Sequence, residues 1–579
     1  MSEFEPSPSR EVSAAAARLL AESLHARARA AQEAARTALA DDLTVLTTGG
    51  WVRGCIEEDL RPDRPISAPV RSWRGIPFGA DTSGANRFME PRPAPAWEGI
   101  RDCREFGHVA PQPVYSWTDR IEGAEDCLTL DIVRPHRSVP SDTLASSGAP
   151  ATSMAGEKLP VVVYLHGGSF IVGSSHMLML RGFEFAAQMD VVYVSVNFRL
   201  GALGYLDVRS LGGEAFANPA VADQVLALEW VRENIAAFGG DPDNVTLMGE
   251  SAGGAAVLTL MAVPRAEGLF HRAIAQSPPI GMIHSRAQSV FWARELVHKM
   301  ALPRDTTADD LRREDFADLV RSGQSMMWRA GELLYLNSCY APTVDGDLIP
   351  QHPIEAFEDG NQHPVPLLVG TNSGEASFGK FLFQRQRARE RAALRLLASF
   401  DPESAPDVIA AYGGAVSRRD FGDLLTDALF WAPTVRVASE HARRYPTWMY
   451  RFDFAPAALR WLGLGAMHSM ELSNIFGDPG ASRVSFLNTI AKPSEMENVT
   501  GAMQTQWGEF IRGGAPREDW PQYTAPERST MVFDVEPRVE EAPMEGRRQA
   551  WEAYDMLEWG TGRPEILKEL GFLLNEESY

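Results

Sequence analysis

Cysteine is scarce. The 579 residues contain four, Cys55, Cys103, Cys127 and Cys339. None forms a C-x-x-C pair, which argues against a disulfide-built scaffold, a zinc ribbon or a thioredoxin-type motif. No run of about 18 apolar residues occurs, so no membrane span is expected. The twelve histidines contain no H-E-x-x-H or similar ligand pair. A metal site is therefore not expected, and no organic cofactor is implied. Positive charge is also short: 55 Lys and Arg against 77 Asp and Glu give a net charge of −22. That balance argues against nucleic acid or an anionic membrane as the main partner. The N-terminus lacks a charged start followed by an apolar stretch, and Glu22 and Glu33 are unlike a transit peptide. A cytoplasmic location is expected.

Ordinary globular chemistry is present. Hydrophobic residues make up 45% and charged residues 23% of the chain, which excludes a mainly disordered protein. Residues 1–45 stand apart as an Ala- and Arg-rich stretch, with Ser13 placed to cap a helix from Ala14 to Ala40. They are expected to form an N-terminal helical extension, with residues 46–579 as one domain. In that domain short apolar runs alternate with helical periodicity. Val161–Leu165, Val191–Val196, Val245–Met248, Leu367–Val369 and Trp448–Phe454 read as strands. Asp223–Ala237 reads as a helix, with Val225, Leu228, Val231 and Ile235 at helical spacing. Strand, helix and strand in this order predict an α/β fold with a mostly parallel central sheet flanked by helices. Residues 136–159, rich in Ser, Pro, Ala and Gly, read as a surface loop. The arginines of 384–395 read as a solvated helix face.

The strongest motif is Gly249-Glu250-Ser251-Ala252-Gly253-Gly254, placed after a predicted strand and before the apolar run Ala255–Met261. G-x-S-x-G in that setting is a nucleophile elbow, which exposes a serine oxygen at a sharp strand-to-helix turn. A serine hydroxyl needs a base, and a hydrolase with this elbow orders its residues Ser, acid, His. His271, His284, His298, His352, His363, His441 and His468 follow the elbow. Most neighbour charged, polar or proline residues typical of a surface, and His468 has the best loop position. Glu375, just beyond the Leu367–Val369 strand, is the candidate acid that would fix the imidazole tautomer. His166-Gly167-Gly168-Ser169-Phe170 follows another strand and is similar to a lipase-type H-G-G-G loop, whose backbone amides face an oxyanion. A histidine base predicts activity falling below about pH 6–7.

Taken together, the motifs resemble the type-B carboxylesterase family, which includes cholinesterases and bacterial para-nitrobenzyl esterases, over roughly residues 47–560. Arg74-Gly75-Ile76-Pro77-Phe78-Gly79, Glu125-Asp126-Cys127-Leu128-Thr129-Leu130-Asp131, Asn197-Phe198-Arg199-Leu200-Gly201 and Phe238-Gly239-Gly240-Asp241-Pro242 are similar to family segments in the family's order. The resemblance implies the α/β-hydrolase fold and a Ser251–Glu375–His468 triad. It implies oxyanion donors at the amides of Gly168, Ser169 and Ala252. Gly167, Glu250, Ser277 and Glu471 would support them, Glu250 as the carboxylate beside the nucleophile and Ser277 as a buried hydrogen-bond partner. The triad intervals are like those of the bacterial branch. The family cysteine that pairs with Cys127 belongs near Ala110, so a Cys103–Cys127 bridge is the remaining alternative to free thiols. Trp117 sits like the choline-site tryptophan of cholinesterases, but its loop is shorter here, so a core or rim tryptophan is the favoured reading and a cholinesterase is not expected. The implied function is hydrolysis of carboxylic esters, small or aryl, through an acyl-enzyme. Carbamate or amide hydrolysis on the same machinery, lipase-like or transacylase action, and a catalytically silent interaction protein are the other readings. The expected partner is a small-molecule ester. Monomer and homodimer both remain open.

Overall fold

The computed structural model describes residues 43–61, 64–114, 120–137, 158–327, 338–398, 400–478 and 491–557. The expected helix at 14–40, most of the loop at 136–159, Trp117, and the gorge candidates Trp328, Leu334 and Tyr335 lie outside the described residues, as does the Met327 side chain. Among the described residues, the first strand is Thr44–Leu46, which crosses the boundary drawn between residues 45 and 46.

Eleven strands form one sheet: β1 (Cys55–Arg61), β2 (Arg64–Pro77), β3 (Thr129–Pro135), β4 (Leu159–Leu165), β5 (Val192–Val196), β6 (Gly240–Glu250), β7 (Arg272–Gln276), β8 (Leu367–Asn372), β9 (Thr447–Phe452), β10 (Thr530–Phe533) and β11 (Arg538–Glu540). Their lateral order is β1-β2-β3-β5-β4-β6-β7-β8-β9-β10-β11. From β5 to β10 every neighbouring pair is parallel, and the outer pairs are antiparallel. This is the mostly parallel α/β-hydrolase sheet. Parallel strands are buried on both faces, and the sequence shows it as apolar runs without polar alternation. Val161, Val163 and Leu165 enter one core with Val225, Val231 and Leu258, while Val162 and Tyr164 enter the opposite core with Phe185, Met503 and Trp507. Among the described residues, no helix is long and apolar enough to cross a membrane.

The helix expected at Asp223–Ala237 runs instead over Pro219–Asn234 and continues as a 3-10 turn over Ile235–Phe238. Proline suits the first helical position, where its missing N–H costs nothing. Asp223 lies inside the helix because its carboxylate is engaged elsewhere. It accepts from Arg199 N, Nε and Nη2 at 3.0, 2.8 and 2.6 Å, with both side chains almost wholly buried. The arginine-rich segment is a helix, Gln386–Ala398, but its face is not uniformly solvated. Arg389 is buried and donates to the Phe383, Gln384 and Val416 carbonyls. Cys103 and Cys127 are buried free thiols, not a bridge. Burial pushes the Cys103 thiol up to about 12.

The Arg199–Asp223 pair yields a stability prediction. Asp223→Ala strands a buried guanidinium and is expected to destabilise the fold by about 3–5 kcal/mol. Arg199→Met with Asp223→Leu removes both charges and recovers most of that loss. Urea denaturation followed by tryptophan fluorescence measures both changes.

Candidate active site

The elbow is built by close packing. Ser251 joins β6 to the helix Ala252–Leu260 with φ 58 and ψ −125, a left-handed conformation that a β-bearing residue adopts only under constraint. Its amide donates to the Gln276 carbonyl of β7 at 2.9 Å, which fixes the turn against the sheet. A Cβ at Gly253 would lie 2.0 Å from the Leu165 carbonyl oxygen, and one at Gly249 would lie 2.5 Å from the Gly253 oxygen. The glycines of the motif are therefore steric requirements of a helix that crosses the strand ends within contact distance.

Loops from the carboxyl ends of the neighbouring strands β8 and β9 meet at Ser251. His468, after β9, has Nε2 2.8 Å from Ser251 Oγ and Nδ1 2.6 Å from Glu375 Oε2. Glu375, after β8, is buried and accepts from the Asn372 amide at 2.7 Å through its other oxygen. Glu250 Oε1 lies 3.4 Å from His468 Nε2 and accepts from Ser469 Oγ at 2.5 Å. Asn372 Nδ2 donates to Glu471 Oε2 at 2.5 Å and to the Met467 carbonyl at 2.8 Å. The Phe430 ring packs 4.7 Å from the imidazole, carried by a π-helical turn at Asp427–Trp431.

The electrostatics follow from three carboxylates around one imidazole. Burial works against the His468 imidazolium, but Glu250, Glu375 and Glu471 favour it more, so its pKa is held above the ordinary 6.5. Burial raises the carboxyls of Glu250 and Glu471, and the neighbouring carboxylates add to that rise. The cluster resists carrying all its negative charges at once.

The loop after β4 closes the other side. His166 is buried, stacks 4.4 Å from Phe198, and places Nδ1 2.9 Å from the Gly167 carbonyl. Burial pulls its pKa down to about 4. A Cβ at Gly167 would lie 3.0 Å from Ser251 Cβ, so this loop lies directly against the serine. Gly168 has φ +122, where a Cβ would lie 1.9 Å from the Val172 oxygen. Ser169 has φ 56 and is exposed. Among the described residues, the amides of Gly168, Ser169 and Ala252 make no backbone hydrogen bond. The first amides of a helix have no partner within it, and Ala252 opens one.

Several expectations need revision. Ser277 is buried with φ 46, and among the described residues no protein group lies within hydrogen-bond distance of its Oγ. Its amide, bonded to the Gly370 carbonyl at 2.8 Å, is what ties it to β8. His284, His352, His363 and His441 are buried, not surface residues, and each bonds a backbone group. Desolvation keeps His284, His352 and His441 near pKa 4. Asn372, Ser469 and Phe430 were missed. Asn372 and Ser469 adjoin the two loop motifs, which is a usable signal. Nothing local marks Phe430.

The carboxylesterase family profile matches residues 41–551. The chain is 31% identical to the para-nitrobenzyl esterase of Bacillus subtilis over 522 residues, covering 87% of this chain and 97% of that protein. It is 32% identical over 553 residues to human carboxylesterase 3, covering 87% and 89%. Identity to the bacterial and mammalian proteins is nearly equal, so it does not favour the bacterial branch. Among solved structures, a para-nitrobenzyl esterase superposes with TM-score 0.74 at 31% identity, covering 88% of this chain and 99% of that one. A carboxylesterase of Geobacillus stearothermophilus gives 0.73 at 30%, covering 88% and 100%.

The packing at the elbow predicts that Gly253→Ala displaces the helix from β4. It is expected to lower kcat by about 100-fold or more, because small misplacements of reacting groups are costly. Far-ultraviolet circular dichroism distinguishes this from global unfolding.

Proposed function

Since the chain belongs to the carboxylesterase family, we propose that it cleaves small or aryl carboxylic esters through an acyl-enzyme on Ser251. The reading is carried by the relay Ser251 Oγ, His468 and Glu375, with contacts of 2.8 and 2.6 Å at a serine held in an elbow conformation. Ser251 Oγ attacks the ester carbonyl as His468 Nε2 takes its proton. Glu375 holds Nδ1–H and stabilises the imidazolium without accepting the proton. The amides of Gly168, Ser169 and Ala252 donate to the tetrahedral oxyanion, where prearranged N–H groups are most effective. His468 then protonates the departing alcohol and activates the water that cleaves the acyl-enzyme. Glu250 adds negative charge beside the imidazolium. Asn372 holds Glu375 through its amide and Glu471 through its side chain, linking the acid loop to the histidine loop. The name of the Bacillus subtilis relative, a para-nitrobenzyl esterase, adds benzyl esters to the aryl esters as first substrates to test.

Two measurements test this. Para-nitrophenyl esters from acetate to decanoate are expected to turn over with wild type, with a chain-length optimum that sizes the acyl site. Ser251→Ala is expected to lower kcat by about 10⁴-fold or more. A folded wild type silent on every ester overturns the reading. The second is the pH profile. The base must be neutral, and its pKa is held above 6.5. As pH falls, kcat/KM is therefore expected to drop with a midpoint above that value. Glu250→Gln removes a charge that favours the imidazolium and moves this midpoint downward. An unchanged midpoint would remove Glu250 from the account.

A further inference from the structure

Large apolar side chains are exposed on the two loops that carry Glu375 and His468. Phe378, Phe381 and Leu382 are 56%, 50% and 54% exposed, and Trp461 and Leu462 are 86% and 51% exposed. Phe378–Leu382 follow Glu375 after β8, and Trp461–Leu462 precede His468 after β9. The loops are fastened together. Lys380 Nζ donates to the Leu462 carbonyl at 2.5 Å, and the Gly374 amide donates to the Ala466 carbonyl at 2.9 Å. Lys380 Nζ also lies 4.9 Å from the Phe381 ring centre. Single exposed apolar residues need no explanation, but a contiguous group does.

In the sequence, the charge that directly follows Phe378 and Phe381 has the opposite sign to the chain as a whole. From Lys380 to Arg395 the sequence holds Lys380, Arg385, Arg387, Arg389, Arg391 and Arg395 against one carboxylate, Glu390, in a chain of net charge −22. Arg385, Arg387 and Arg391 are exposed and make no ion pair among the described residues. At physiological salt the screening length is about 8 Å, so a docked surface senses this corner more than the distant acidic remainder.

We propose that this corner is a docking surface for an anionic lipid interface, with the aromatic side chains entering the headgroup boundary and the arginines meeting lipid charge. Apolar side chains bordered by cations are the pattern of peripheral membrane attachment. The same charge argues against a second copy of this chain as occupant. A two-fold contact buries the same patch on both copies and would bring two sets of these arginines into one interface. The face lies at the carboxyl ends of β8 and β9, the side of the sheet from which the elbow also projects. A docked enzyme would thus present its serine toward esters held in or released from the interface. The inference concerns attachment, so its readout is partitioning, not turnover.

The test is co-sedimentation with vesicles of phosphatidylcholine alone and of phosphatidylcholine containing phosphatidylglycerol. Wild type is expected to sediment with the anionic vesicles, not the neutral ones, and to be released by salt at about 0.5 M. Phe378→Ser with Phe381→Ser and Trp461→Ser is expected to abolish binding. Arg385→Gln with Arg387→Gln and Arg391→Gln should weaken it by about tenfold or more. Both variants should keep wild-type turnover of soluble para-nitrophenyl acetate, which separates lost docking from lost folding. Absence of binding to anionic vesicles, or binding indifferent to both variants, overturns the proposal. A wild-type dimer in sedimentation velocity that the apolar substitutions dissociate also overturns it, in favour of self-association.

Discussion

The approach of the helix Ala252–Leu260 to the end of β4 is the constraint on which the site depends. With the Gly253 position hard against the Leu165 carbonyl, no side chain fits there, and the chain can turn only within one residue. That residue is Ser251, whose positive φ is the geometric price of the turn. A strained residue persists only where its surroundings over-determine it. Here the hydrogen bond from its N–H to the Gln276 carbonyl and the parallel strands on either side do so. The same turn leaves the Ala252 amide without an intrahelical acceptor, next to the serine oxygen. Steric necessity thus creates both a hydroxyl that projects toward His468 and, among the described residues, a backbone donor beside it with no backbone acceptor.

The second constraint is electrostatic. Glu250, Glu375 and Glu471 are buried within one network, and like charges in a low dielectric oppose one another's ionisation. One imidazole cannot neutralise three carboxylates. The raised pKa directions of Glu250 and Glu471 express that conflict, and the rise at His468 is its counterpart. The arrangement favours an imidazolium, the species formed when the proposed nucleophile gives up its proton. Charge that strains the resting site is therefore placed where the reaction develops positive charge. Only Glu375 bonds Nδ1, so orientation comes from one carboxylate and electrostatic bias from the others.

Much of this was legible in the sequence, for identifiable reasons. Apolar runs such as Val161–Leu165 mark strands buried on both faces. G-x-S-x-G between strand and helix marks the elbow, because its glycines answer steric demands that leave little choice. Helix boundaries were less legible. Asp223 read as a helix start, and only the fold reveals that Arg199 claims its carboxylate. Histidine burial was also hidden. His441 has Glu440 and Arg443 as near neighbours, yet its ring is enclosed by Phe357 and held by the Val365 carbonyl. Flanking polarity reports the surface only when the side chain points the same way as its neighbours. Helical periodicity separates those directions.

Phe430 shows why some site residues leave no trace in a sequence. It reaches His468 because Asp427–Trp431 adopts a π-helical turn, which rotates the following residues relative to an α-helix of the same register. The turn is held from outside the site. Asp427 accepts from Tyr412 Oη at 2.5 Å and from Arg547 Nη1 at 3.1 Å, and Tyr412 Oη accepts from Trp551 Nε1 at 2.8 Å. Arg547 and Trp551 belong to the helix Glu545–Glu552, near the end of the described chain. A contact with the imidazole thus depends on residues more than a hundred positions beyond Phe430 in the sequence. Motifs record what local geometry demands. A ring placed by a distant helix answers to tertiary structure alone, and only coordinates bring it into view.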